Sequence, residues 1–424
     1  MARILVSGAG VAGFSLAYWL LRDGHDVTIV ERAPAPRQGG QGVDIRGAAR
    51  TVVERMGVGD AVRAAHTGVR GFAQIDGTGR RRVEMPTERL GHSGGAVAEI
   101  EILRGDLVAV LRDAAEAAAA SAGTASSGTS SLTYQFDDTI TAVDRRPGGV
   151  AVEFEKAAPA RFDVVVGADG AFSVTRRLAF DGAWRAVDSG YHRAVFAVDD
   201  PRVAAESGAE DWMTMYSLPA GNGVGGRNVL LYPARGGARA MVHFASDPLG
   251  LDRRDVAGQK EAVAEVYAGA GWVVPRLMDA MWRADDFYFD RHQRIEASSW
   301  HRGRVALLGD ACAAGSVGMG TSIAIVGAYV LAAELRAAGT RDDDVAAALA
   351  RYEARVRPYA IRNGKPLPGG LRGFLPSSER EIRTRLAIGG LLMRTPLARL
   401  MTGLDKNVDA IELPETWSPR ARAA

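Results

Sequence analysis

The stretch ILVSGAGVAGFSLAYWL, residues 4–20, joins a short apolar run to a segment of helical spacing through glycines 8, 10 and 13. Ile4, Leu5 and Val6 read as a buried parallel strand, and Val11, Leu16, Ala17, Leu20 and Leu21 mark one face of a helix that Gly24 ends. The glycines therefore occupy a strand-to-helix turn. There Gly8 permits the tight turn, Gly10 lets backbone approach a pyrophosphate, and Gly13 lets helix and strand pack closely, with the helix N-terminus aimed at the anion. The next strand, VTIV at 27–30, ends at Glu31, about 20 residues downstream, where a carboxylate accepts hydrogen bonds from ribose hydroxyls. The pattern predicts a dinucleotide site; a glycine turn needed only for packing is the competing reading.

A chain of 424 residues is too long for one ordinary core, so two or more domains, possibly interleaved, are expected. Its 52 basic and 50 acidic residues leave a net charge of +2, which gives no case for nucleic acid or a membrane surface as partner. Cys312 is the single cysteine, so an intrachain disulfide and a cysteine-rich metal site are both excluded. His192, His292 and His301 lack metal spacing, and no metal is expected. The N-terminus enters a strand pattern at once, and with cysteine so scarce a cytoplasmic location is expected. Near the C-terminus the apolar run LAIGGLLM, 386–393, falls short of the roughly 20 residues of a spanning helix. It reads as core or as a lid, and no integral membrane segment is expected.

Which dinucleotide is held follows from the rest of the chain. A simple NAD dehydrogenase continues with regular strand and helix alternation, whereas APAPRQGGQGVDIRGAA, 33–49, is a long Gly/Pro-rich connection suited to a larger ligand lying across it. Two later segments repeat the strand-to-helix theme. DVVVGADGAFSVTRRL, 163–178, is an apolar strand ending at Asp169-Gly170, followed by Ser173 and the basic pair Arg176 and Arg177. GRVALLGDACAAGSVGMGTSIAIVGAYVLAAEL, 303–335, is a strand ending at Gly309-Asp310, then a glycine-spaced loop and a long apolar helix.

With this ordered set of a glycine fingerprint, a DG motif and a GD motif, the chain resembles the FAD-dependent monooxygenases of the para-hydroxybenzoate hydroxylase type. The pattern is closest to members that act on tetracyclines and other polyketides. The resemblance implies a Rossmann-like α/β FAD-binding domain with an inserted, mostly antiparallel β-sheet substrate domain and a helical C-terminal segment. By it, Gly8, Gly10, Gly13 and Glu31 hold the ADP half of non-covalent FAD, with Arg32 beside the adenosine, and Asp310 after Gly309 takes the ribityl chain. Arg104 matches an Arg-x-x-Leu helix whose arginine meets the flavin or its phosphates, and Asp169 is tied to FAD and pyridine nucleotide. GVDIRG, 42–47, aligns with a segment under the isoalloxazine, so Asp44 and Arg46 face ring or substrate. In GMGTS, 318–322, Gly318 and Gly320 remove side chains where a flat ring must touch backbone, and the helix that follows points its positive end there. Many relatives carry His-Pro after the GD pair; CAAGSV, 312–317, does not, which leaves the reactive face and the substrate class open. Cys312 reads as a small buried thiol.

Hairpins are expected at 71–85 and 138–156, a low-complexity polar tract after the helical start of 113–131, and an antiparallel sheet over 184–245. Along WMTMYSL, Met213, Met215 and Ser217 share one face and Thr214 and Tyr216 the other, and one of them lines the cavity over the flavin. Tyr216 and Tyr232 are pocket candidates. The expected division is cofactor binding at 1–70, 97–180 and 300–340, substrate binding at 71–96 and 181–299, and a C-terminal helical segment at 341–424 covering the pocket or meeting a partner. The activity implied is NAD(P)H- and O2-consuming oxygenation of an aromatic or polyketide-like molecule through a flavin C4a-hydroperoxide, with hydroxylation foremost and no side-chain nucleophile needed. Baeyer–Villiger oxygenation, a flavin oxidase or dehydrogenase, and a non-catalytic flavin sensor are the alternatives. A halogenase of this lineage would carry Trp-x-Trp-x-Ile-Pro, which is missing.

Overall fold

The structure, a computed structural model, describes residues 1–36, 39–87, 101–123, 130–234, 237–364, 369–393, 395 and 409–415. The polar tract expected after the helix Arg104–Gly123 lies outside them, apart from its last residues. In chain order the strands are β1 (Arg3–Ser7), β2 (Asp26–Glu31), β3 (Gly42–Asp44), β4 (Gly71–Ile75), β5 (Arg81–Pro86) and β6 (Glu101–Leu103). Then come β7 (Leu132–Phe136), β8 (Ile140–Arg146), β9 (Gly149–Phe154), β10 (Ala160–Phe162), β11 (Val164–Gly167) and β12 (Trp184–Val198). The last are β13 (Met213–Leu218), β14 (Arg227–Ala234), β15 (Gly237–Ala245), β16 (Tyr288–Ala297), β17 (His301–Arg302) and β18 (Val305–Leu307).

The apolar strand ends read from the sequence become neighbours in one sheet of order β17-β18-β11-β1-β2-β7, parallel except for β17. Ser7 pairs with Gly167, which pairs with Leu307, so three segments about 150 residues apart end in one row. Parallel strands need crossovers, and helices supply them. The helix Val11–Arg22 packs between Arg104–Gly123 and Gly320–Ala337, with the Trp19 and Tyr329 rings edge to face at 4.9 Å. Gly320–Ala337 is long and apolar enough to cross a membrane, with mean hydropathy 1.2, but 72% of it is buried inside the fold. Helix Asp342–Asn363 covers it, and Tyr352 donates from there to the Leu307 carbonyl at 3.0 Å.

A second sheet, of order β16-β12-β15-β14-β13-β4-β5, takes five strands from between the DG and GD segments and β4 and β5 from before the DG segment. It is antiparallel except where β13 runs parallel to β4, so the sheet is mixed. Both expected hairpins form, β4–β5 in this sheet and β8–β9 in a three-stranded one with β10. Helices Val256–Tyr267 and Val274–Arg283 cover one face of the second sheet, burying Val263, Tyr267, Leu277 and Met281 against Phe196, Val229, Val242 and Phe244. The ribbon β3–β6 runs between the two sheets. LAIGGLLM lies in the helix Glu379–Met393 and is neither core nor a cover of the cavity described below. Its glycines rest on edge strand β5, where a Cβ on Gly390 would be 2.4 Å from the Arg82 carbonyl, and Ile388 and Leu391 are exposed.

Candidate cofactor and substrate site

At the first strand end the three glycines separate into two kinds. Gly8 has φ +114°, and a Cβ on it would lie 2.5 Å from the Ala168 carbonyl; one on Gly13 would lie 2.0 Å from that of Gly8. Both are demanded by packing, and Gly8 does more than turn the chain, since it lets β1 abut the DG strand end. Gly10 is different. A Cβ there would meet only Arg104 Nη2, at 3.6 Å, and Gly10 begins the helix Val11–Arg22 without a side-chain cap, so open space and free N–H groups meet at one place. Glu31 accepts from Ala9 N at 3.0 Å and Ala33 N at 2.9 Å, which fixes its carboxylate beside the turn. Arg32 is exposed.

Asp169 Oδ2 accepts from Thr175 N at 2.9 Å, Thr175 Oγ1 at 3.0 Å and Ser7 Oγ at 3.4 Å, while Oδ1 is buried with no partner among the described residues. The cap of the helix Val174–Ala179 is Ser173, which accepts from Arg176 N at 2.9 Å. Arg176, seen in the sequence only as half of a basic pair, is buried. Its guanidinium donates to the Ala311 and Ala171 carbonyls at 2.8 and 2.7 Å and lies 4.4 Å over the Trp184 ring, tying the DG segment to the GD segment.

At the third strand end Gly309 leads into the short helix Asp310–Ala313. Asp310 is open to solvent, yet enough protein surrounds it that desolvation raises its pKa, against the Arg104 and Arg193 guanidinium groups. That combination describes the wall of a deep cleft. Its carboxylate has no hydrogen-bond partner among the described residues, and a Cβ on Gly320 would lie 3.5 Å from Oδ1. A Cβ on Gly318 would lie 3.5 Å from Asp44 Oδ2 and 3.8 Å from Arg46 Nη2, so the DIR segment and the GMG loop face each other. Asp44 and Arg46 are paired at 2.6 Å, and Arg46 N donates to Ser322 Oγ at 2.9 Å in the uncapped first turn of Gly320–Ala337. Cys312 donates to the Gly309 carbonyl, and burial pushes its thiol pKa up, so it is not poised to react.

Beyond this loop lies a cavity of about 170 Å³ lined by Tyr191, His292, Gly315, Val317, Leu371 and Phe374, among others. Tyr191 stacks on His292 at 4.7 Å, and Phe374, on the short helix Gly370–Phe374, meets Tyr191 and His243 edge to face at 5.5 and 4.9 Å. His292 shares a hydrogen bond with Ser189 Oγ at 2.9 Å, and burial first, then Arg193, lowers its pKa to about 4, so the ring is neutral. Asp188 is held by Arg291 and Arg294 by Glu296, both at 2.5 Å, so the charges of the described lining residues are paired. Deeper, Arg193 pairs with Asp290 at 2.8 Å, and Tyr288 donates to the same carboxylate at 2.7 Å.

The sheet face turned to this cavity is the one carrying Tyr191, Arg193, His243, Met213 and Met215. Tyr216 is on the opposite, helix-covered face, edge to face with Trp272 at 5.5 Å, and is not a lining residue. Tyr232 is on the cavity side but only 1% exposed, and its hydroxyl accepts from Gly42 N at 3.0 Å; it joins the second sheet to the β3–β6 ribbon. Tyr191, His292 and Phe374 were not singled out for the pocket from the sequence. Tyr191 and His292 are brought together by the pairing of β12 with β16, about 100 positions apart, and Phe374 arrives on a helix about 80 positions later, so no local spacing reports the group.

The open glycine turn, the free helix start, the partnerless carboxylate oxygens of Asp310 and Asp169 and the Arg104 guanidinium form a cleft suited to a phosphate- and hydroxyl-rich ligand. A family model described as FAD binding domain matches residues 1–363. An uncharacterized protein of Mycobacterium tuberculosis is 38% identical, over 90% of this chain and 96% of its own length. A flavin-dependent monooxygenase of Legionella longbeachae is 30% identical, over 86% of this chain and 87% of its own. Among solved structures, the tetracycline destructase Tet(51) superposes with a TM-score of 0.74 at 27% identity, covering 98% of this chain and 99% of that one. The protein is therefore an FAD-binding oxidoreductase, and the chain belongs to the flavin-dependent monooxygenases of the para-hydroxybenzoate hydroxylase type.

Proposed function

We propose that the protein hydroxylates an uncharged aromatic small molecule, such as a polyketide-like phenol, with NADPH or NADH as reductant. When bound, FAD supplies the oxidation chemistry; the chain binds, orients and keeps water away. In this reading the free helix start at Gly10 and Arg104 take the pyrophosphate, and Glu31, with Arg32 at the rim, the adenosine ribose. Asp310 after Gly309 accepts from the ribityl hydroxyls, and Gly8 and Gly13 keep the turn in shape. Asp169 takes a polar group of FAD or of the reductant through its partnerless oxygen. Gly318 and Gly320 leave room for a flat ring, with the uncapped first turn of Gly320–Ala337 at its polar edge and the Asp44–Arg46 pair beside it. Residues 1–70, 97–180 and 300–340 then serve the cofactor, 71–96 and 181–299 the substrate, and Gly370–Phe374 closes the cavity.

One observation carries the substrate reading: the cavity is walled by aromatic rings and a neutral imidazole, its charges are paired, and it begins at Gly315 and Val317, next to the Gly318 turn. A rigid ring is accepted there without desolvating a charge. The test is NAD(P)H oxidation by the purified holoenzyme with neutral phenols and their carboxylated analogues under labelled dioxygen. Faster oxidation with the neutral series and label in the product are expected. Preference for the carboxylates overturns the charge reading, and hydrogen peroxide in full stoichiometry without labelled product overturns hydroxylation in favour of an oxidase.

A further inference from the structure

Glu101 is the buried acid that the cleft as described leaves without a task. It stands on β6 directly across the ladder from Asp44, so two carboxyl groups occupy opposed positions on one face of the ribbon. Glu101 is 3% exposed, and neither of its oxygens has a hydrogen-bond partner among the described residues. The carboxyl lies over Gly42, where a Cβ would come within 2.6 Å of Oε1 and 3.3 Å of the Tyr232 ring. The nearby guanidinium of Arg46 is committed elsewhere: Nη2 and Nε both donate to Asp44 Oδ2, at 2.6 and 3.1 Å. An acid without a partner thus faces an ion pair that contains the partner it lacks.

We propose that Glu101 is a proton-dependent positioning residue for the wall of the cofactor cleft: uncharged, it leaves Arg46 to Asp44, and ionised, it competes for that guanidinium and draws residues 42–46 away from Gly318. Burial, and after it repulsion from Asp44, raises the Glu101 pKa from 4.5 to about 8, against the attraction of Arg46. The groups that neighbouring elements bring near it are Tyr232, Arg239, His66 and Arg104. Tyr232 stays protonated, its pKa raised by burial to about 12; Arg239 behind it is tied to Asp286 at 2.6 Å. His66, bridged to Ile102 next in the strand, accepts from Gly68 N at 2.8 Å, and Arg104, the first residue of the helix that follows the strand, faces Gly10. What would move is held by a small latch, Arg46 N to Ser322 Oγ and Ser322 Oγ to the Asp44 carbonyl at 2.9 and 3.3 Å. The proposal rests on FAD occupying the cleft at Gly318.

The test compares wild type with Glu101→Gln and with Glu101→Met, which keeps the length and removes the polar atoms. Without cofactor, urea denaturation is followed across pH. Between pH 4.5 and about 8 the unfolded chain has lost the Glu101 proton and the folded chain has kept it, so wild-type stability falls as pH rises through that window. Both variants are expected to gain on wild type through the window and to hold a constant lead above it. With FAD, quenching of flavin fluorescence gives the affinity, expected to weaken about tenfold in wild type from about pH 7 to about pH 9.5 and to stay flat in both variants. Variants that follow wild type in both measurements overturn the proposal, as does a widening stability gap beside a flat wild-type affinity. Failure of wild type to bind FAD at every pH overturns the cofactor reading itself, and the proposal with it.

Discussion

Asp310 accepts nothing from the described residues although protein surrounds it and the guanidinium groups of Arg104 and Arg193 are near. A carboxylate kept in that state is stabilised by whatever donates to it in the cleft, and hydrogen bonds to a charged group contribute about 1.5–3 kcal/mol. Asp310→Ala is accordingly expected to weaken FAD binding by about 10- to 100-fold, measured by titrating the apoprotein with FAD. An affinity equal to wild type would remove Asp310 from the cofactor site. That Gly8, Asp169 and Asp310 stand at the ends of neighbouring strands was legible in the sequence, because three apolar runs each ending in a glycine- or aspartate-bearing turn describe parallel strands whose ends share one edge. Tyr216 and Tyr232 were not. A tyrosine packs, donates or stacks equally well, and only the register of β13 and β14 shows that one meets Trp272 and the other Gly42.

Among the elements, the first strand and helix form the least adjustable unit, because the Gly13 backbone presses on that of Gly8. Gly13→Ala would place a methyl group 2.0 Å from a carbonyl oxygen, and the helix Val11–Arg22 must shift to accept it. A loss of about 3 kcal/mol in apoprotein stability is expected, with FAD lost as well, read by denaturant unfolding and by flavin absorbance after desalting. Unchanged stability would mean that the turn adjusts at no cost. This unit and the two hairpins were legible because their periodicities are local. The face of the second sheet that lines the cavity was not. Met213 and Met215 on one side and Thr214 and Tyr216 on the other differ little in polarity, and the choice is made by helices Val256–Tyr267 and Val274–Arg283, which arrive about 40 residues later in the chain.

At the scale of the whole molecule, the cofactor cleft and the aromatic cavity meet at the loop from Gly315 to Gly318, and the cavity is capped from the C-terminal side by Phe374. Phe374 touches Tyr191 and His243, whereas the position a Cβ on Gly10 would take has only Arg104 within 4 Å, so the two sites are expected to be separable by mutation. Phe374→Ala is expected to raise KM for an aromatic substrate by about tenfold while leaving FAD content intact, since an aromatic contact contributes about 1 kcal/mol beyond the area it buries. Loss of flavin on desalting that variant would contradict the separation.

The row in which Ser7 meets Gly167 and Gly167 meets Leu307 also orders assembly in time. A ribosome delivers the first of these early, but the guanidinium of Arg176 waits for the carbonyl of Ala311, and Ser322 is still later. Until that last stretch emerges, the nascent protein holds a half-built berth with an open side, and its sheet lacks the strand that fills the edge of β11. On the proposed cofactor reading, flavin capture waits until the segment carrying Asp310 and Ser322 has been made, because that segment closes the side of the berth facing Arg46.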